Sequence, residues 1–196
     1  MGTWIRPASA YRCFSGSTLN LPALDAWIAS PKSLVLTDTF DSTRLSDLHI
    51  TLPTRDGVHG RPFAPPAEGT PLGYGHHLAF FHPRNPEALL RADGTDADFC
   101  PPEPFTRRMW ASGTMTWHKA AALKVGGKAT AVSTVDKVEK KGFEVGKPMV
   151  FVKQRIRVTA DGSSDHAIVE ERAHVYQAPA ASGGKRLPRQ GESSTQ

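Results

Sequence analysis

Alternation of apolar and polar positions is clearest in the second half of the chain. In "MVFVKQRIRVT", Val150, Val152, Ile156 and Val158 alternate with Phe151, Lys153, Arg155 and Arg157, the pattern of a strand with one buried and one solvated face. Asp161-Gly162 then marks a hairpin turn. "HAIVEERAHVYQ" returns from it, and its alternation predicts Val169, Ala173 and Val175 inward with Glu170, Arg172 and His174 outward. Basic and acidic residues opposed on the outer face suit an antiparallel pair. Upstream, "KATAVSTVDKVEKKG" predicts another long strand and "GTMTWHK" a shorter one.

The first half carries helical spacing. "LPALDAWIAS" and "FDSTRLSDLHITL" both predict helices; in the second, Leu45, Leu48 and Leu52 fall on one face, and Asp38, Asp41 or Ser42 can cap its start. Residues 53–72 are rich in Pro and Gly and predict an irregular covering segment. From Gly73 the period changes to two, so "GHHLAFFH" predicts a strand. Helices followed by a continuous antiparallel sheet make the fold class α+β.

Length and charge narrow the picture. A chain of 196 residues fits one domain, divided as a flexible segment 1–24, a folded domain 25–180 and a disordered tail 181–196. No run approaches eighteen apolar residues, which argues against a membrane span. The net charge of +5 sits largely at the ends: Arg6 and Arg12 face no acid in residues 1–24, and Lys185, Arg186 and Arg189 outnumber Glu192 in the tail. The folded part is left with about +1 and has no basic stripe, so nucleic acid is not an expected partner. Cys13 and Cys100 form neither a disulfide framework nor a CxxC half-site. They suit reduced thiols in an intracellular, cytoplasmic protein. The acid-free, Arg- and Ser-bearing start leaves mitochondrial targeting as the alternative.

Candidate chemistry concentrates in "GYGHHLAFFHP", which holds His76, His77 and His82 among the chain's eight histidines. On a strand, His76 and His82 would share a face about 20 Å apart, at about 3.3 Å per residue, with His77 on the other face. That spacing cannot chelate one ion, and HxH and HExxH are absent, so no metal is expected. Two readings stay open: an acid–base imidazole, or an aromatic wall of Phe80 and Phe81 with histidines at its wet edge.

A second set of stretches carries a resemblance. "LLRADGTDADFCPPEPFTRRMWASGTMTWH", preceded by "TLPTRDG" and followed by "GKPMVFVKQRIRV" and "EERAHVYQ", resembles the type 2 hydroxyacyl-thioester dehydratases over about residues 38–178. More narrowly, it is similar to the N-terminal hot-dog half of their fungal and bacterial members, which include mesaconyl-CoA hydratase-like and MaoC-type proteins. "FTRRMWASG" is the most specific part. The resemblance implies a single hot-dog fold, a curved antiparallel sheet wrapped around a helix, here with an N-terminal helical extension. It also implies cofactor-free addition or removal of water on a hydrophobic acyl thioester. The family's acid and base are an Asp/His pair in a D-x-N-x-x-H segment of the second hot-dog. No such segment occurs by residue 196; Asp161 and His166 match the spacing only on a hairpin tip and without the Asn.

The expectation is therefore an enzyme whose catalytic groups lie within this half. Candidates are His76, His77 and His82, with Arg107 or Arg108 to hold a carboxylate, thioester or enolate oxygen; only one of the two can point inward. Tyr74, Phe80, Phe81, Asp93, Trp110, Trp117 and His118 are candidate substrate contacts. For the tryptophans, core filling is the commoner role, and for Asp93, with Asp96 and Asp98, a solvated turn. Three functional classes fit: a dehydratase or hydratase-like lyase, a natural-product enzyme that guides cyclisation, isomerisation or a pericyclic step in an apolar pocket, and a non-catalytic partner of a second hot-dog. Exposed sheet edges add the expectation of a homodimer.

Overall fold

Four long strands and one short one form a single antiparallel sheet in the computed structural model, which describes residues 19–52 and 64–178. In chain order these are β1 (Ser33–Thr39), β2 (Arg107–Trp117), β3 (Lys128–Lys141), β4 (Met149–Ala160) and β5 (His166–Gln177), arranged β1-β3-β4-β5-β2. The expected turn at Asp161-Gly162 joins β4 to β5, with Gly162 at φ 76°. Helix α1 (Leu21–Ala29) precedes the sheet, and α2 (Ser42–Thr51) lies between β1 and β2 in sequence. Both helices fall where their spacing predicted. Asn20 caps α1, accepting from Ala23 N–H at 3.0 Å, and Asp41 caps α2, accepting from Arg44 N–H at 2.8 Å. This is the single hot-dog unit, α+β in class. No helix among the described residues is long and apolar enough to cross a membrane.

One face of the sheet carries both helices. Leu24 of α1, fully buried, packs with Val150, Val152, Tyr176 and Phe105. Leu45 of α2 packs with Phe40, Phe80, Val158 and Ile168. Each buried leucine contributes about 1.5–3 kcal/mol. Leu48 is only half-buried and Leu52, the C-cap, is exposed, so the α2 seam is narrower than its spacing predicted. Residues 21–24 belong to α1, and Leu24 to the core, rather than to a flexible segment. Residues 1–18, residues 53–63 of the covering stretch, and the tail lie outside the described residues.

Three expectations are corrected. "GHHLAFFH" is not a strand: Gly75 at φ 82° opens a 3-10 turn over His76–Ala79, and Phe81 takes φ 59°. Backbone groups there pair locally, Leu78 N–H to Gly75 O at 3.0 Å and Phe80 N–H to His77 O at 3.0 Å. The faces of β5 are also exchanged. Its partners on β4 run Val158↔Ile168, Ile156↔Glu170, Gln154↔Arg172, Val152↔His174 and Val150↔Tyr176, so Glu170, Arg172 and His174 lie on the helix-covered face. Apolar residues at both parities, Ala167 and Val175 against Ile168 and Tyr176, make the alternation ambiguous, and a one-residue shift exchanges the faces. Finally, β2 begins at Arg107, well before the predicted "GTMTWHK".

Asp38 ties three elements together. Its carboxylate accepts from Arg44 Nη1 of α2 at 2.8 Å, from Phe81 N–H at 3.2 Å and from Thr39 N–H at 2.9 Å. Burial alone raises the Asp38 carboxyl, but the Arg44 and backbone hydrogen bonds outweigh it and hold it below the usual carboxylate range. Asp38→Asn should lower stability by about 1–2 kcal/mol at pH 7. Because the folded pKa is depressed, that contribution exists above the unfolded value and fades as pH falls through the folded one. Urea melts of both proteins should therefore converge as pH falls below the usual carboxylate range; a gap that stays constant with pH would contradict an ionic role for Asp38.

Candidate active site

Two cavities of unlike chemistry meet at His77. The first, about 330 Å³, is apolar, formed by Leu72, Trp117, Leu123, Ala167 and Ile168, with Tyr74 and His118 at its wall. The second, about 400 Å³, lies over the middle of the covered face, between the two apolar clusters. Its floor comes from β3, β4 and β5, and its roof from residues 77–83 and 96–99. Both are within the usual range for small-molecule sites.

The polar cavity gathers groups that are costly to bury. Four polar or charged side chains are buried among the described residues: His77 (4% exposed), Ser133 (9%), Gln154 (8%) and Glu170 (2%). All four border this cavity. Glu170 is held by Arg172, Nη2 to Oε2 at 2.9 Å and Nε to Oε1. His77 Nδ1 and Nε2 and His174 Nδ1 are buried with no hydrogen-bond partner among the described residues. An unpaired buried polar atom of this kind costs about 1–3 kcal/mol. The only non-glycine residues with positive φ among the described residues, Phe81 (59°) and Phe99 (61°), also border it. Bulky side chains rarely adopt that backbone, and such strain gathers at functional sites.

Burial and nearby charges hold His77 neutral. Burial pulls its pKa below the ordinary imidazole value; the Glu170 carboxylate opposes this, while Arg172 and His76 add to it. The ring is therefore neutral at pH 7. His174, stacked edge-on against Trp110 at 5.4 Å, is lowered by burial, then by Arg108 and Arg172, with Glu170 opposing.

The predicted residues divide between the two spaces. Tyr74, Trp117 and His118 border the apolar cavity, whereas Phe80, Phe81, His82 and Arg108 border the polar one; His77 borders both. Phe80 and Phe81 thus do not line an apolar pocket. Arg108 shares the covered face with Tyr176, and Arg107 points to the other face. His76 lies outside both cavities with its ring 5.0 Å from that of His49. Trp110, 58% exposed, crosses the space above Gly113 at the sheet edge and borders neither. Asp93 sits in an exposed turn, accepting from Thr95 and paired with Arg91 at 3.7 Å. Glu170, Arg172, His174, Ser133 and Gln154 escaped the sequence reading. The signal for the β5 trio was the apolar residue at Ile168, in step with all three.

The family model for hydroxyacyl-thioester dehydratase type 2 matches residues 75–196, more than half of the chain. The chain belongs to this family. Among its relatives, a mesaconyl-C(4)-CoA hydratase of Chloroflexus aurantiacus is 30% identical over 122 residues, covering 61% of this chain and 42% of that protein. The chain thus spans about two fifths of that relative's length. A chain of the ChsH1-ChsH2 complex from Mycobacterium tuberculosis superposes with a TM-score of 0.47 at 13% identity, covering 83% of this chain and 93% of that one. In this member of the family, the polar cavity draws on the family-matched residues for His77, Arg108, Glu170 and Arg172.

His77→Leu offers a direct test of the geometry. Replacing an unpaired buried imidazole by an apolar side chain of similar size should stabilise the fold by about 1–2 kcal/mol in urea melts. A His with a depressed folded pKa is protonated first in the unfolded chain, so its stability contribution is present near pH 7 and declines as pH falls below about 6.5. The variant should therefore also lose acid sensitivity in that window. A destabilised His77→Leu protein would mean that the ring nitrogens are satisfied in solution.

Proposed function

We propose that this hot-dog unit is a hydratase or dehydratase-like lyase acting on an acyl thioester, with His77 as its acid–base group. One observation carries the reading: a neutral, buried, unpaired imidazole stands between an apolar and a polar cavity. The apolar cavity takes the hydrocarbon part of the acyl group, and the polar one takes the oxygen-bearing end. In dehydration, neutral His77 removes the proton α to the thioester carbonyl, and the electron pair left behind forms the enolate. Collapse of the enolate expels the 3-hydroxyl, which takes the proton from the imidazolium and leaves as water; hydration is the reverse. Hydrogen-bond donors must hold the enolate oxygen, and Arg108, on the cavity side of β2, is the candidate. Such chemistry needs no organic cofactor. Family membership and the likeness to a mesaconyl-C(4)-CoA hydratase support the lyase reading. With purified protein and a 3-hydroxyacyl thioester, followed by enoyl absorbance, His77→Asn should lower turnover ~10²-fold or more. Near-normal turnover in a folded variant would place the proton transfer elsewhere.

We propose further that two copies associate through a sheet edge. The eleven-residue β2 and the seven-residue β1 are the two edges of the sheet, and they expose Trp110 and Val35 at 58% each. Edges of this length favour pairing with another chain. Light scattering should return about twice the chain mass of 21.2 kDa at micromolar concentration; the monomer mass would contradict the proposal.

A further inference from the structure

The ion pair beneath His77, with its Glu170 carboxylate buried and its Arg172 side chain 32% exposed, is not explained by stability. Well-packed apolar residues in place of a buried ion pair are often as stable or more so, and the neighbours of Glu170 across the sheet, Ile156 and Met115, are already apolar. Glu170 is the only carboxylate buried among the described residues, and both its oxygens are occupied by Arg172. The pair is therefore fixed in position, in surroundings that screen charge weakly. It lines the floor of the cavity whose roof carries the imidazole with no partner for its nitrogens.

Resting on the assignment of His77 as the acid–base group, we propose that Glu170 is its positioning residue. Clamped by Arg172, the carboxylate sets how readily the imidazole takes up and returns a proton. A fixed anion near the ring favours imidazolium, the species that forms when His77 takes the α-proton. Burial, aided by the fixed guanidinium, outweighs that effect, so the ring starts neutral and the proton is returned easily. The two β5 charges thus act on His77 with opposite signs.

The surroundings of His77 allow this to be isolated. Glu170 and Arg172 act on it from β5, and His76 flanks it on its own turn. Asp96, Asp98 and Arg108 reach the polar cavity from the loop before β2 and from its start, with His82 from the roof and His174 from the floor. On the apolar side stand the indole of Trp117, with ring centroids 6.2 Å apart, Tyr74 and His118. Among these groups, the Glu170 carboxylate has the largest effect on His77, followed by Arg172 and His76.

The test is an NMR titration of His77 in the full chain and in two near-isosteric variants, with circular dichroism to confirm folding. Glu170→Gln should lower the His77 midpoint, and Arg172→Gln should raise it. In kcat/KM profiles the acid limb should move in the same two directions, because the neutral ring is the active form. Opposite shifts are what electrostatic tuning predicts and what general structural damage does not. Equal-sign shifts, or none, overturn the proposal. Should either single variant fail to fold, the double variant Glu170→Gln/Arg172→Gln decides it. Its midpoint should fall slightly, since the carboxylate's effect exceeds the guanidinium's, and an unchanged or raised value overturns the proposal. His77→Asn separates the two ideas. If it keeps turnover, the acid–base assignment fails while the titration still reports the pairing. If it is inactive and the titrations do not shift, only the role of Glu170 fails.

Discussion

Two short helices cannot cover one long sheet face, and the site depends on that mismatch. α1 has nine residues and α2 has ten, each about 15 Å long at 1.5 Å per residue. β4 beneath them has twelve, about 40 Å at 3.3 Å per residue. The helices seal the two ends, with Leu24 over Val150 and Val152 and Leu45 near Val158 and Ile168. The middle is roofed by irregular chain, residues 77–83 and 96–99. Irregular chain packs less continuously than a helix, so a cavity remains, and the strand residues below it are Ser133, Gln154, Glu170 and Arg172. The geometry that leaves a gap and the sequence that makes its floor polar coincide.

Departures from local rules collect around the same gap. A left-handed phenylalanine on each roof segment, an imidazole without partners and a buried ion pair each oppose folding. Away from the gap, Asn20 and Asp41 cap their helices and Asp161-Gly162 makes the expected turn, while Trp117 Nε1 and Arg155 Nε are the other buried side-chain nitrogens without a partner among the described residues. Unfavourable features concentrated at one cavity point to function. Asp38 is the fastening that makes them tolerable, since it holds Phe81 N–H to α2 through Arg44.

Much of the fold was legible because its signals are local. The alternation in β3 and β4, the spacing in both helices and the capping residues each needed only near neighbours. The site was less so. "GHHLAFFH" has the period of a strand, yet Gly75 and Phe81 turn its backbone, and it is that turn which buries His77 while sending His76 toward His49. Glu170 and Arg172 read as outward because charge ordinarily faces water. Their burial depends on each other, and one strand's alternation does not show it. Of the three imidazoles in the motif only His77 is buried where the two cavities meet, and only tertiary packing distinguishes it.

The central claim is that the cavity under His77 receives the substrate. Chemical-shift mapping with a hydrolysis-resistant acyl-thioester analogue tests it most directly. The account predicts saturable shifts at His77, Phe81, Phe99 and Glu170, on the roof and floor of one cavity. Saturable binding that shifts only the uncovered face of the sheet, leaving His77 unchanged, would contradict it.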